Sequence, residues 1–240
     1  GESPLSKRMA QKLYGAPIAL SASRLEKYHS CAFHYFMTYG LFAMERQRAG
    51  IEPRSTGSVQ HAALCDYFTA LAEEGRNPDA ISREECYRDL GRLVEEEVQK
   101  DSALLYENSA YYQYVVMRMR RIAARTAWEV VKFYQNSSFR PYGFELKIGL
   151  DGDLPAIRVN GRDGEALAQI SGLIDRADTA EADGKTYINI VDYKSSAKKL
   201  SVRLAEDGIS IQPLLYTKAL CDHIEGGTPG AMLYMQMTEP

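Results

Sequence analysis

Cysteine is scarce in this chain. Its four cysteines, Cys31, Cys65, Cys86 and Cys221, form no C-x-x-C pair, so neither a disulfide scaffold nor a complete zinc motif is written here. No G-x-x-x-x-G-K-[ST] stretch occurs, which excludes ATP hydrolysis by a P-loop within this chain. Apolar runs are far shorter than the ~20 residues that span a bilayer. No signal peptide is visible, and the expected compartment is the cytoplasm. Excess charge of either sign is lacking too. Lys and Arg number 29 against 32 Asp and Glu, a net charge of −3, so any surface for nucleic acid must be local. Repeats and low-complexity segments are absent. What remains is an ordinary globular composition, 240 residues with 45% hydrophobic side chains, long enough for a sizeable core. Sixteen tyrosines suit base stacking and a helical core equally well.

The order of elements is helices first, strands later. Ser21 or Ser23 can cap a helix running to about Tyr39, with Ser23 and Glu26 spaced as a capping box. A polar loop follows over 46–58, then a helix over 58–72. Helical periodicity recurs over 82–100 and 108–136, where Trp128, Val131 and Tyr134 fall on a core face. Short strands are expected at 143–150, 156–160, 166–177 and 186–194, then a helix over 211–223 and a strand over 231–237. The expected class is α+β, an antiparallel or mixed central sheet flanked by helices, with a mostly helical portion (1–140) ahead of a sheet core (141–240). We read the whole as one domain of a longer chain.

The densest chemistry lies in Ile170–Asp178 and Ile188–Ser195. Each reads as a strand carrying an acid towards its end, joined through Asp183-Gly184, the pair favoured in a type I′ hairpin turn. Counting back from that turn puts Asp175 directly opposite Asp192, with Cβ atoms about 5 Å apart. Lys194 follows two residues on and projects from the same face. Two carboxylates so placed repel unless a cation lies between them, and hard oxygen ligands suit Mg²⁺ or Mn²⁺. A lysine beside the metal can orient or deprotonate a water. The bland alternative is a charged hairpin whose Asp175 pairs with Arg176 or Lys194.

Other residues stand open between two readings. His61 is either a half-buried histidine or a further metal ligand. Glu145 is a further acid at the site or the outward face of an edge strand. Gln212 and Tyr216, four apart, share a helix face that is plain polar surface or a phosphate-binding pair, with Pro213 marking the first turn. Lys198, Lys199 and Arg203 form a charged loop or contact a phosphate backbone. Cys31 alone reads as a core thiol.

Taken in order, His61, Asp175, Asp192-Tyr193-Lys194, Gln212 and Tyr216 resemble the PD-(D/E)XK nuclease superfamily in its RecB-like branch. Leu20–Tyr28, Cys31-Ala32-Phe33, Tyr39-Gly40-Leu41, Gly172–Arg176 and Val191–Ser196 look like the nuclease domains of AddB-type helicase–nuclease proteins, and this resemblance spans nearly the whole chain. It implies a restriction-endonuclease-like core. It implies that His61, Asp175, Asp192 and the Tyr193 carbonyl hold Mg²⁺ or Mn²⁺, that Lys194 assists the attacking water, and that Gln212 and Tyr216 support the phosphates. The implied substrate is a single-stranded DNA end fed by an AddA-type partner during double-strand-break repair. In that family a cysteine at the place of Cys31 shares a 4Fe–4S cluster with three others near the C-terminus. Cys65, Cys86 and Cys221 lack the close spacing this requires, and Ala32 stands where the family usually has proline. Two further readings are a free-standing or CRISPR-associated nuclease of the same branch, and a catalytically idle DNA-binding module.

Overall fold

The computed structural model describes residues 6–43, 53–100, 109–196 and 201–238. Its spine is one long strand. In chain order the first elements are α1 (Lys7–Tyr14), β1 (Ile18–Ser21), α2 (Ala22–Ser30) and α3 (Ala32–Tyr35), which runs into a π-helical turn at Phe36–Gly40. The helices α4 (Pro53–Glu73), α5 (Arg83–Lys100) and α6 (Ala110–Gln135) follow. Then come β2 (Arg140–Ile148), β3 (Ile157–Asn160), β4 (Ala166–Ala182), β5 (Lys185–Lys194), α7 (Val202–Glu206), α8 (Gln212–His223) and β6 (Gly227–Gln236).

The hairpin register follows its turn. Asp183 and Gly184 both take left-handed backbone, φ 52° and 70°, the geometry a type I′ turn demands. Ala182 therefore faces Lys185, and the ladder runs regularly to Arg176 opposite Val191. Around this hairpin the sheet is mixed and differs from a simple meander. β2 and β3 do not pair with each other. They lie antiparallel to successive stretches of β4, at 172–179 and 166–170, because a strand of 17 residues is long enough to receive both. β6 lies parallel to β5, as a strand returning through a crossover helix must. The short β1, unexpected from sequence, pairs parallel with residues 168–171, so the mostly helical portion also contributes to the sheet.

Helix boundaries depart from expectation in three places. Ser21 is the cap of α2, its hydroxyl accepting from the Arg24 amide, and Glu26 turns elsewhere, so the Ser23–Glu26 capping box does not form. The helix expected to reach Tyr39 breaks at Cys31, whose backbone is extended (φ −164°). α4 begins at Pro53, inside the expected loop, since proline is well suited to a first helical position.

Two cores hold the layers. Leu64 and Phe68 of α4, Leu90 and Val94 of α5, and Val130, Val131 and Tyr134 of α6 are buried together. Each such aliphatic or phenyl side chain contributes about 1.5–3 kcal/mol on burial. On the other side, Ala177, Ile188 and Ile190 of the hairpin pack on Tyr216 and Leu220 of α8. Facing the first core, the hairpin buries Arg176 and Asp178 at 1% and 0% exposure. The Arg176 guanidinium donates through Nε and Nη2 to one Asp178 oxygen, each at 3.1 Å, and through Nη1 to the Tyr193 hydroxyl at 3.1 Å. The Tyr134 hydroxyl donates to the other Asp178 oxygen at 2.6 Å. Burial pushes the Asp178 carboxyl up from its ordinary pKa, and Arg176 and Tyr134 pull against it. With both carboxylate oxygens bonded, the buried charge is compensated. Arg176 is thus turned away from Asp175, and the surface pairing considered for those two neighbours does not occur.

Candidate active site

The ladder between β4 and β5 stops one residue short of the acids. Beyond Arg176–Val191, the side chain of Asp175 takes over, its Oδ2 accepting the Tyr193 amide at 2.8 Å. That bond is local in space and 18 residues apart in sequence. It ties the carboxylate of one strand to the backbone between Asp192 and Lys194 on the other. Across the second edge of β4, Glu145 and Asp175 fall between the pairs Phe144–Arg176 and Leu146–Ile174. Glu145 there adopts φ 48°, unusual for a side chain with a Cβ, and this kink in β2 re-aims its carboxylate.

Helix α4 brings His61 to these acids. Its Nδ1 lies 3.1 Å from Glu145 Oε1 and its Nε2 lies 3.1 Å from Asp175 Oδ2. The ring also packs edge-on against Tyr193, 5.5 Å between centroids. A neutral imidazole has one N–H to donate and cannot satisfy two carboxylates, whereas the protonated ring can. Burial disfavours that charge, but the hydrogen bond and charge of Asp175, then those of Glu145, outweigh it and raise the His61 pKa above its ordinary value. Glu145 is therefore turned towards His61 rather than standing alone on an outward edge.

On the α8 side, Lys194 Nζ pairs with Asp192 Oδ2, and its ammonium lies 5.3 Å from the Tyr234 ring centroid. Asp192 is only 7% exposed. Tyr216 is buried against Gly172, where a Cβ would stand 2.2 Å from the phenolic oxygen. Its hydroxyl is hydrogen-bonded to the Leu173 backbone and the Gln212 side chain. Burial raises its pKa, with smaller upward contributions from Asp175 and Asp192. The acids, the lysine and the Gln212–Tyr216 pair thus lie near one another.

Two residues were not foreseen in this role. Glu26 of α2 accepts the Gln212 amide at 3.2 Å, fixing the start of α8 with an acid where a helix N-terminus favours one. Tyr234 of β6 has its pKa raised, by burial first and then by the charges of Asp192 and Glu26. No sequence signal links Glu26 to Gln212, which are 186 residues apart. Other expectations are not gathered in. Lys198 and Lys199 lie outside the described residues. Arg203 is exposed on α7, away from the contacts that join the acids. Cys31 is exposed rather than a core thiol, its sulfur capping α3 by accepting the His34 amide at 3.4 Å. Cys65, Cys86 and Cys221 sit on α4, α5 and α8.

Among the described residues, no three His, Cys, Asp or Glu side chains stand as a ready metal shell. The donors nonetheless fit a hard divalent cation. Imidazole nitrogen and carboxylate and carbonyl oxygens are the ligands Mg²⁺ and Mn²⁺ accept. The Lys194 ammonium, and the proton His61 holds more tightly than an ordinary histidine, stand where a cation's charge would be needed.

A mixed sheet with paired acids and a lysine at the mouth of its central hairpin defines a class. The model of the PD-(D/E)XK nuclease superfamily matches residues 19–240, and the chain belongs to that superfamily. More particularly, it is similar to proteins named as the B subunit of an ATP-dependent helicase/deoxyribonuclease. Identity is 34% with that of Clostridium acetobutylicum, covering 98% of this chain and 21% of the relative. It is 35% with that of Caldanaerobacter subterraneus subsp. tengcongensis, covering 96% and 20%. For Acetivibrio thermocellus it is 31%, covering 99% and 21%. The chain therefore spans about a fifth of the length of these relatives. Among the described residues no helix is long and apolar enough to cross a membrane.

Proposed function

We propose that the chain hydrolyses DNA phosphodiesters as the nuclease domain of a helicase–nuclease, trimming single-stranded ends during double-strand-break repair alongside an AddA-type partner. The observation that carries this reading is the meeting of Asp175, Asp192 and Lys194 where β4 and β5 part, with His61 bonded to Asp175. Asp175, Asp192, His61 and the Tyr193 carbonyl would hold Mg²⁺ or Mn²⁺, with Glu145 behind His61. When bound, such an ion supplies a lowered water pKa and charge stabilisation for the departing oxygen. The chain's own residues do the rest. Lys194, held by Asp192 as an ammonium, orients the attacking water and steadies the negative charge that develops on it. Asp175 fixes the Tyr193 backbone, and so the direction of its carbonyl. Tyr216 and Gln212 present hydroxyl and amide donors to the phosphate, and Glu26 holds the helix turn that carries them.

The test is cleavage of end-labelled single-stranded DNA with Mg²⁺ or Mn²⁺, comparing the native chain with Lys194→Ala and Asp192→Ala. Metal-dependent cleavage is expected, falling by about a thousandfold or more in each variant, a barrier increase of about 4 kcal/mol. Cleavage that survives Lys194→Ala unchanged would overturn the assignment.

A further inference from the structure

The outward face of α6 carries a periodic pattern that the site does not use. Tyr111, Tyr114, Arg118, Arg121 and Arg125 recur at steps of three and four and are all exposed. Such spacing aligns them on one stripe, about 21 Å long at the rise of an α-helix. Three arginines in a row on one face are conspicuous in a chain of net charge −3. The two tyrosines are 61% and 49% exposed, although burial would be favourable for such large rings.

The stripe also reaches the catalytic centre. A cavity of about 150 Å³ lies between α4, α6 and the end of β5, lined by Thr56, Gln60, Arg118, Met119 and Ser195 among others. Ser195 directly follows Lys194. Its Oγ lies 3.6 Å from where a Cβ on Gly57 would stand, so α4 and the end of β5 approach each other closely beside this opening. Arg118 thus belongs both to the cavity beside Lys194 and to the basic stripe.

We infer that α6 is a track for single-stranded DNA, its arginines following consecutive phosphates away from the Ser195 cavity and Tyr111 and Tyr114 stacking on bases. This rests on the nuclease reading for its purpose, but its binding chemistry is separate. Aromatic rings interleaved with cations are what a sequence-tolerant single-strand surface requires. Guanidinium stems about 5–6 Å apart along a helix face offer a repeated charge to a flexible backbone.

The experiment measures binding of a fluorescent oligothymidylate of roughly twenty nucleotides across a range of salt. It uses the whole chain in the Lys194→Ala background, without divalent metal, so that no turnover intervenes. Arg121→Ala with Arg125→Ala should weaken binding about tenfold at low salt and flatten the log–log salt slope by about 1.4, since each single-strand phosphate contact contributes about 0.7. The double Lys variant should keep the native slope, which separates charge from any change in folding. Tyr114→Ala should weaken binding with the slope unchanged. Unaltered affinity and slope in the double Ala variant would overturn the track, as would tighter binding to a duplex of the same length with the same dependence on these arginines. The expected pattern supports the track even where the native chain fails to cleave, and that failure would count against hydrolysis alone.

Discussion

Two polar clusters sit on one hairpin, one residue out of step, and have opposite fates. Asp175, Asp192 and Lys194 line the open mouth, whereas Arg176, Asp178 and the Tyr193 hydroxyl lie in the core beneath α6. In the buried cluster each Asp178 oxygen has a donor, and the guanidinium is spread between a carboxylate and a phenol. Arg176 also lies 5.6–5.9 Å from three aromatic rings. In the open cluster Asp175 is bonded to His61 and Asp192 is paired with Lys194. The buried charge is compensated on every side, while the charge at the mouth is compensated by part-exposed partners. The two are joined through Tyr193, whose hydroxyl is anchored by Arg176 and whose amide holds Asp175.

Breaking the buried cluster should have the largest effect. Asp178→Ala leaves the Arg176 charge uncompensated and should cost about 3–5 kcal/mol in denaturant unfolding. Replacing both partners, Arg176→Met with Asp178→Leu, should recover much of that loss. A double variant no more stable than Asp178→Ala would refute the view that the pair's worth lies in mutual compensation. The open cluster should behave in the reverse way. Asp192→Ala should abolish cleavage yet cost less stability than Asp178→Ala, because the part-exposed Lys194 can turn to solvent once its partner is removed.

Between these extremes stands Gly172. A methyl group there would occupy the place of the Tyr216 hydroxyl. Gly172→Ala should therefore cost about 1–3 kcal/mol by overpacking and slow cleavage as Tyr216 is displaced. Tyr216→Phe should slow cleavage with little loss of stability. Equal stability losses in the two variants would mean that the phenol is structural.

The smallest effect concerns protons. His61 has its pKa raised in the folded chain above the ordinary 6.5. Its ion pairs therefore stabilise the metal-free chain fully below that ordinary value, and the stabilisation is lost as pH rises through the raised value. Comparing native and His61→Gln unfolding across pH should show a difference that shrinks upward through that window. Affinity for Mn²⁺ should move oppositely, rising with pH as the competing proton leaves. A pH-independent difference between native and variant would remove His61 from the exchange.

Much of the site was legible because it is fixed by short-range rules. The Asp183-Gly184 turn sets the hairpin register, which runs regularly to Arg176 opposite Val191, one step before Asp175 and Asp192. Helical spacing joined Gln212 to Tyr216. The β2 kink that points Glu145 at His61 was not legible, since it arises from pairing on the far edge of β4. Nor was the partner of Glu26, which a local capping rule assigned to Ser23.

Sequence by itself thus determined the hairpin, its register and the helix–strand order, because turn chemistry and side-chain periodicity act within a few residues. Tertiary structure alone decided that Arg176 is buried rather than exposed, that β1 joins the sheet, that β6 runs parallel, and that His61 stands between two carboxylates. Those outcomes depend on which distant surfaces exclude water together, and a pattern read along one chain does not contain that information.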